Sequence, residues 1–279
     1  MCKRNILKIS ALITVVFFSV IGNAFSSVLF VGTDTEEFQS LGVNYLIKAT
    51  VSGPNFVSQV NIPLNYALNG IGDGPGYLYA GDPNTNTLNT IDYNGNLLTS
   101  VSAGFPNSCC NEEMQFAGGN LYHAHWSDNI QQIDPVTGAV IATFPQYSVV
   151  GMALVGGTIW ITDWNDAQVG TWDPGTNIFT PVFSTPDLAG ALAYDPFSKI
   201  LWVGQSGGMV LPYDLTGTLL GPGFNPIVNA LGPNVTIDTV DGLTFQGEGS
   251  QIPEPSTLAL LALGMIGLGL HQRRRQTKA

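Results

Sequence analysis

Two histidines, His123 and His125, are the side chains in this sequence best suited to ligating a metal or to acid–base chemistry. They lie two positions apart in an alternating segment, so a strand would place both on one face. Asp163 occupies a comparable position in a neighbouring repeat of the chain. His123, His125 and Asp163 therefore form a candidate site for a divalent cation. The simpler interpretation is that they are polar residues at strand ends, next to Trp126.

The adjacent pair Cys109-Cys110 is the second feature with reactive groups. In an oxidising compartment the two thiols could form a vicinal disulfide, whose strained ring would be easy to reduce. A stiffened turn and two free thiols are the alternatives. The sequence has no Cys-x-x-Cys pair or cysteine–histidine spacing typical of zinc, and no nucleophile elbow, phosphate loop or dinucleotide fingerprint.

The last 28 residues, 252–279, have the order of a processing signal. Pro253-Glu254-Pro255 predicts an extended segment that a protease can reach, because proline fixes φ and disfavours helix before it. The apolar run Leu258–Leu270 predicts a helix of about 20 Å, which is short against the roughly 30 Å hydrocarbon core of a bilayer. The basic stop expected on the cytoplasmic side follows as Arg273, Arg274 and Arg275.

These three features together resemble the PEP-CTERM sorting signal of Gram-negative bacteria. The resemblance implies export, transient anchoring in the inner membrane, and recognition of Pro253-Glu254-Pro255 by an exosortase-type membrane transpeptidase. Glu254 is then part of the recognised motif and not a catalytic group. An ordinary C-terminal membrane anchor is the alternative.

The other end of the chain has the layout of a secretory signal peptide. Residues 1–26 combine a basic start, the apolar run Ile9–Ile21 and a segment of small residues. Cleavage after Ala24 or Ser26 is expected, and an uncleaved N-terminal anchor is the alternative. The predicted organisation is a signal helix at 1–26, a body at 27–251 and a sorting segment at 252–279.

The body is strongly acidic once both terminal segments are set aside. The whole chain has a formal net charge of −11, and of its nine Lys and Arg residues the body retains only Lys48 and Lys199. This excludes nucleic-acid binding, because phosphates need many cations to neutralise them. An acidic surface suits solubility in an extracellular matrix, and it could attract divalent cations.

An internal repeat organises the body. An aspartate recurs at intervals of 42, 39 and 41 residues, as Asp92, Asp134, Asp173 and Asp214. An aromatic residue keeps the same phase, as Tyr79, Tyr122, Trp160 and Trp202. Alternating apolar residues and regular turn residues predict four β-strands per repeat, which is the blade of a β-propeller. In the aspartate turns, the carboxylate is expected to cap its own backbone and glycine to take a positive φ.

The predicted fold is all-β, a propeller of about five four-stranded blades flanked by the signal helix and the short C-terminal hydrophobic helix. The repeat resembles the YVTN/NHL-like propeller proteins. Asp241–Phe245 and Val28–Gly32 are expected to pair in a closing blade with Tyr45–Val51 and Phe56–Ile62, which hides edge strands. A sixth blade follows if Gly221–Val240 contains strands. A sandwich of short strands is the competing fold, but it gives no reason for the period.

Two classes of function remain open. The first is a noncatalytic exported protein of the cell surface, envelope or exopolysaccharide matrix, whose propeller binds polysaccharide or an envelope protein. The second is a secreted lyase- or lactonase-like enzyme with a metal in the central channel. Apolar or small residues on the innermost strands favour the first class. These residues are Met152, Ala153, Leu192, Ala193, Leu243 and Thr244. No cofactor beyond the candidate cation is expected. A linker at Gln246–Ile252, outside the fold, is expected to carry the sorting segment.

Overall fold

A computed structural model describes residues 26–32, 44–82, 85–105, 111–233, 235 and 239–249. The predicted signal helix ahead of Ser26, the pair Cys109-Cys110 and the sorting segment 252–279 lie outside these residues. Nineteen strands make up most of the described chain, and its single α-helix is six residues long. No helix within the described ranges has the length and hydrophobicity needed to traverse a bilayer.

The strands form five sheets, which are the blades of a ring. The first three strands are β1 (Ser26–Gly32), β2 (Asn44–Ser52) and β3 (Asn55–Leu64). Blade 1 consists of β4 (Ile71–Asp73), β5 (Leu78–Asp82), β6 (Thr87–Ile91) and β7 (Leu97–Ser102). Blade 2 consists of β8 (Asn111–Ala117), β9 (Asn120–His125), β10 (Ile130–Ile133) and β11 (Val140–Phe144). Blade 3 consists of β12 (Met152–Val155), β13 (Thr158–Asp163), β14 (Gln168–Asp173) and β15 (Ile178–Ser184). Blade 4 consists of β16 (Ala189–Asp195), β17 (Ile200–Gln205) and β18 (Val210–Tyr213), and β19 (Gly242–Phe245) comes last.

The two ends of the described chain share the closing blade, whose strand order is β19-β1-β2-β3. Leu29 pairs with Phe245 and Gly32 with Gly242 in an antiparallel register. Beyond the last pair, the Gln246 N–H donates to the Val28 carbonyl at 3.0 Å. The predicted all-β propeller and its seam are therefore confirmed, and closure removes two edges that would otherwise be open.

The blade count is five, and the alternative of six is wrong for a local reason. The described residues of Gly221–Val240 contain the helix α1 (Pro226–Leu231) in place of strands. Pro226 occupies the first helical turn, and the Asn225 side chain caps it by accepting from the Val228 N–H at 2.9 Å. Blade 4 also differs from the predicted four strands. It has three, and a bridge between Tyr213 and Leu219 marks the place of the fourth.

The aspartate turns have the predicted structure. The Asp214 Oδ1 accepts from the backbone N–H groups of Thr216 and Thr218, both at 2.8 Å. These donors lower the pKa of Asp214 to about 2. The equivalent carboxylates accept backbone N–H groups in the same way, at Asp92, Asp134 and Asp173. The glycine expected to take a positive φ does so at 80° in Gly95, and Asn177 takes this role in blade 3 with φ 55°.

The hydrophobic core is divided into five clusters, one in each gap between neighbouring blades. The repeated aromatic residue is buried in every case, at Tyr79, Tyr122, Trp160 and Trp202. The period of the aromatic residue in the sequence therefore corresponds to a repeated contact between blades. Since the inner strands of neighbouring blades pack against each other, the ring is stabilised by blade stacking as well as by strand pairing.

The ring has two distinguishable faces. The exit face is the one where the innermost strands end, and two contacts place both ends of the described chain there. The Ser27 hydroxyl donates to the Asp195 carboxylate at 2.8 Å, and the Gly247 N–H donates to the Asp73 carboxylate at 3.0 Å. The opposite loop face is where the second strands end, with the turns Trp126–Asn129 and Trp164–Ala167.

Candidate functional site

Glu113 on the innermost strand of blade 2 occupies the centre of the ring and is fully buried. Its Oε2 accepts the backbone N–H groups of Met152 at 2.9 Å and Leu192 at 2.6 Å. Its Oε1 accepts the N–H of Leu243 at 2.7 Å. Each donor belongs to a different blade, so one carboxylate joins four of the five blades at the axis.

Glu248 is a second fully buried carboxylate in the ring. Its Oε1 accepts the backbone N–H groups of Leu154 and Tyr194, both at 3.1 Å. Its Oε2 accepts the N–H of Phe245 at 3.0 Å and the hydroxyl of Thr244 at 3.4 Å. Glu248 therefore ties the end of the closing blade to blades 3 and 4.

Asp73 holds the same C-terminal segment from the side of blade 1. Its Oδ2 accepts the N–H groups of Gly247 at 3.0 Å and Gly249 at 3.3 Å, and its Oδ1 accepts the Tyr93 hydroxyl at 2.8 Å. The expectation that a linker outside the fold begins at Gln246 is therefore wrong. Residues 246–249 belong to the fold, because Glu248 needs them to reach the axis.

The three carboxylates were missed by the sequence reasoning, which considered the apolar residues of the innermost strands. Met152, Leu192 and Leu243 are indeed buried, yet their backbone N–H groups point to Glu113. The signal available in the sequence was the scarcity of glutamate. The chain has only six glutamates, and two of them, Glu112 and Glu113, fall inside β8.

Burial perturbs the titration of all three groups. It raises the pKa of Glu248 to about 8 and that of Asp73 to about 7, against the opposing effect of the N–H donors. Burial also raises the pKa of Glu113, with Glu248 as a nearby like charge adding to the effect. In the unfolded chain such groups titrate near 4. The folded ring therefore holds more protons than the unfolded chain between these values.

We expect the free energy of unfolding to be highest in mild acid and to fall as the pH rises from about 4 to about 8. The stability is lost on the alkaline side because each raised pKa favours the folded state only while its carboxyl is protonated. Urea unfolding across this range measures the slope. Glu248→Gln should make the slope shallower, whereas Asp92→Asn, an exposed carboxylate of lowered pKa, should leave it unchanged. A wild-type stability that is flat or rises between about pH 5 and 8 contradicts this expectation.

The histidine pair lies on β9 as predicted, and both side chains are buried, with their ring centroids 6.4 Å apart. His123 is fully buried against Phe105, with ring centroids 4.6 Å apart, and burial lowers its pKa to about 3. The His125 Nδ1 accepts the Ser127 N–H at 3.3 Å. The Asp163 Oδ1 accepts the Asn165 N–H in its own turn, at 3.1 Å. Among the described residues, no three His, Cys, Asp or Glu side chains come together as a metal site.

An aromatic cluster lies on the loop face, in the turns that follow His125 and Asp163 and on the connection between blades 2 and 3. We define it as Trp126, Tyr147 and Trp164. The Trp126 side chain is 44% exposed and that of Tyr147 62%, while Trp164 is half-buried. Ser148 joins them, because its N–H donates to the Trp126 carbonyl at 2.9 Å and its carbonyl accepts the Trp164 N–H at 2.8 Å.

The sequence contained a signal for this cluster that was not used. The segments His125-Trp126-Ser127-Asp128 and Asp163-Trp164-Asn165-Asp166 occupy the same phase of neighbouring repeats. A tryptophan thus follows the second strand in both blades 2 and 3. Tyr147 could not be assigned to the cluster from the repeat, because it lies on the connection between the two blades.

Comparison with known proteins agrees with this architecture. Residues 251–275 match the PEP-CTERM protein-sorting motif, which marks the chain as an exported protein that is anchored in the membrane before an exosortase processes it. No curated protein matches the chain in sequence. The ring is a five-bladed β-propeller, as the repeat predicted.

Several solved structures are similar to this chain. A chain of the nidogen/laminin complex is 13% identical with a TM-score of 0.52, covering 79% of this chain and 98% of that one. Streptogramin B lyase is 14% identical with a TM-score of 0.41, covering 55% of this chain. Virginiamycin B lyase from Staphylococcus aureus is 14% identical with a TM-score of 0.43, covering 70% of this chain and 69% of that one. The chain spans about half the length of streptogramin B lyase, 53%. Identities this low show the fold alone.

Proposed function

We propose that the body is a noncatalytic binding or structural module, delivered across the inner membrane to the cell surface or matrix by its sorting motif. The observation that carries this proposal is that the carboxylates at the centre of the ring are already hydrogen-bonded within the protein. The four carboxylate oxygens of Glu113 and Glu248 accept seven hydrogen bonds, six of them from backbone N–H groups. A propeller enzyme with an axial metal needs such oxygens as ligands.

The burial of these groups supports the same proposal. Glu113 and Glu248 are both fully buried, so neither carboxylate is exposed to a substrate. A general acid or base must come within hydrogen-bond reach of the reacting atom, directly or through one water. The perturbed pKa values of these carboxyl groups therefore reflect their structural burial.

Metal analysis of the purified full-length chain tests the proposal. We expect no stoichiometric calcium, zinc or manganese, and the same result for a His123→Ala/His125→Ala double variant. A tightly bound stoichiometric metal that is absent from the double variant would favour the metalloenzyme. Fractionation of the native host is the second test. A propeller found only in the cytoplasm would contradict the proposed export.

A further inference from the structure

The aromatic cluster Trp126, Tyr147 and Trp164 lies on the loop face, opposite the face where the last described residues leave the ring. Trp126 and Trp164 follow the ends of second strands, whereas Gly249 leaves the ring on the exit face. A membrane-anchored ring therefore presents the cluster on its free side. Large exposed apolar side chains grouped in this way mark interaction surfaces more often than scattered ones do.

The backbone holds the cluster together. Ser148 lies between Trp126 and Trp164 and is hydrogen-bonded to the backbone of both. Ser148 has a φ of 63°, and its hydroxyl accepts from the Asn165 side-chain amide. The connection that carries Tyr147 is thus fixed to the turn of blade 3, and the aromatic residues are held by main-chain contacts on both sides.

Polar groups border the aromatic rings. Ser127, Asn165 and Asp166 are exposed beside the two tryptophans. Aromatic faces stack on the C–H faces of pyranose rings, and amides, hydroxyls and carboxylates bond to sugar hydroxyls.

Charge narrows the class of glycan. The body has only Lys48 and Lys199 as cations, and neither lies in the turns of the cluster. Asp128 and Asp166 lie within these turns and Asp163 directly precedes one of them, so an anionic polymer would meet repulsion with no compensating cation there. We propose that the aromatic cluster binds a neutral polysaccharide. This inference rests on the proposed function as a binding module and supplies its ligand class.

Affinity electrophoresis of the full-length chain in detergent, through gels containing dextran, glucomannan or galactomannan, tests the site. We expect at least one of these neutral polymers to retard the protein, and alginate to retard it far less. Trp126→Ala and Tyr147→Ala should each weaken the retardation about tenfold, the effect of losing one stacked ring. Phe197→Ala is the matched control, because Phe197 is an exposed aromatic residue (70%) that lies after β16 on the exit face.

The outcomes separate the two proposals. Absence of retardation by all three neutral polymers overturns the glycan site, as does equal weakening by Phe197→Ala. Light scattering that shows a dimer dissociated by Trp126→Ala overturns it as well, in favour of a second copy as the occupant. Sugar fragments released from a bound polymer would leave the site standing and overturn the noncatalytic function. Urea midpoints of the variants confirm that each one is folded.

Discussion

Replacing Glu113 with alanine is expected to lower the free energy of unfolding by about 3 kcal/mol or more. Three backbone N–H groups, on Met152, Leu192 and Leu243, lose their acceptor at once. Each is buried in a different blade, and a buried donor without a partner costs about 1–3 kcal/mol. Relief of the buried charge and entry of water offset part of this loss, so the lower end of the sum is the expected value.

Urea unfolding followed by the fluorescence of the buried Trp172 and Trp202 measures this effect. Glu113→Gln is the matched variant, since it retains the side-chain shape and one acceptor oxygen. It should lose less stability than Glu113→Ala. An alanine variant as stable as the wild type would show that the carboxylate does not hold the blades together.

Ending the chain after Phe245 is expected to destabilise the ring by about 3 kcal/mol or more, whereas ending it after Gly249 should change stability by about 0.5 kcal/mol or less. The shorter chain lacks Glu248, which leaves the N–H groups of Leu154 and Tyr194 without their acceptor. Asp73 also loses the N–H groups of Gly247 and Gly249. The whole difference in stability between the two truncated chains is therefore expected to come from residues 246–249.

Thermal or urea unfolding of the two truncated chains, with Glu248→Ala in the longer one, completes the test. The substitution should reproduce most of the loss seen in the shorter chain, because it removes the same acceptor without adding a new terminal carboxylate at Phe245. Equal stability of the two truncated chains would show that residues 246–249 are a linker after all.

The ring could be predicted from the sequence because its period is local. Each Asp turn is specified by a few consecutive residues, and Asp214 with Thr216 and Thr218 is sufficient to form one. Closure was also predictable, since Val28–Gly32 and Asp241–Phe245 each lacked strands to complete a blade within their own stretch of sequence. Blade 4 departs from the pattern where Pro226 and Asn225 favour a helix over a strand.

The channel could not be predicted, because its hydrogen bonds join residues that only the closed ring brings together. Glu113 and Leu243 are 130 positions apart, and nothing in either local pattern links them. The histidines show the opposite error. Their alternation on β9 was predicted correctly. The burial of His123, however, depends on Phe105, which lies on the connection that follows blade 1. The aromatic cluster was within reach of the sequence only through comparison of two repeats.

The position of Glu248 near the end of the described chain also limits when the ring can close during export. The innermost strand of the closing blade and its carboxylate occupy residues 242–249, the last described residues before the sorting motif at 251–275. A chain that crosses a membrane from its N-terminus cannot close the ring until those residues have crossed. Completion of the fold and arrival of the sorting segment at the bilayer are therefore nearly simultaneous, and the finished propeller forms where its tail is to be cut.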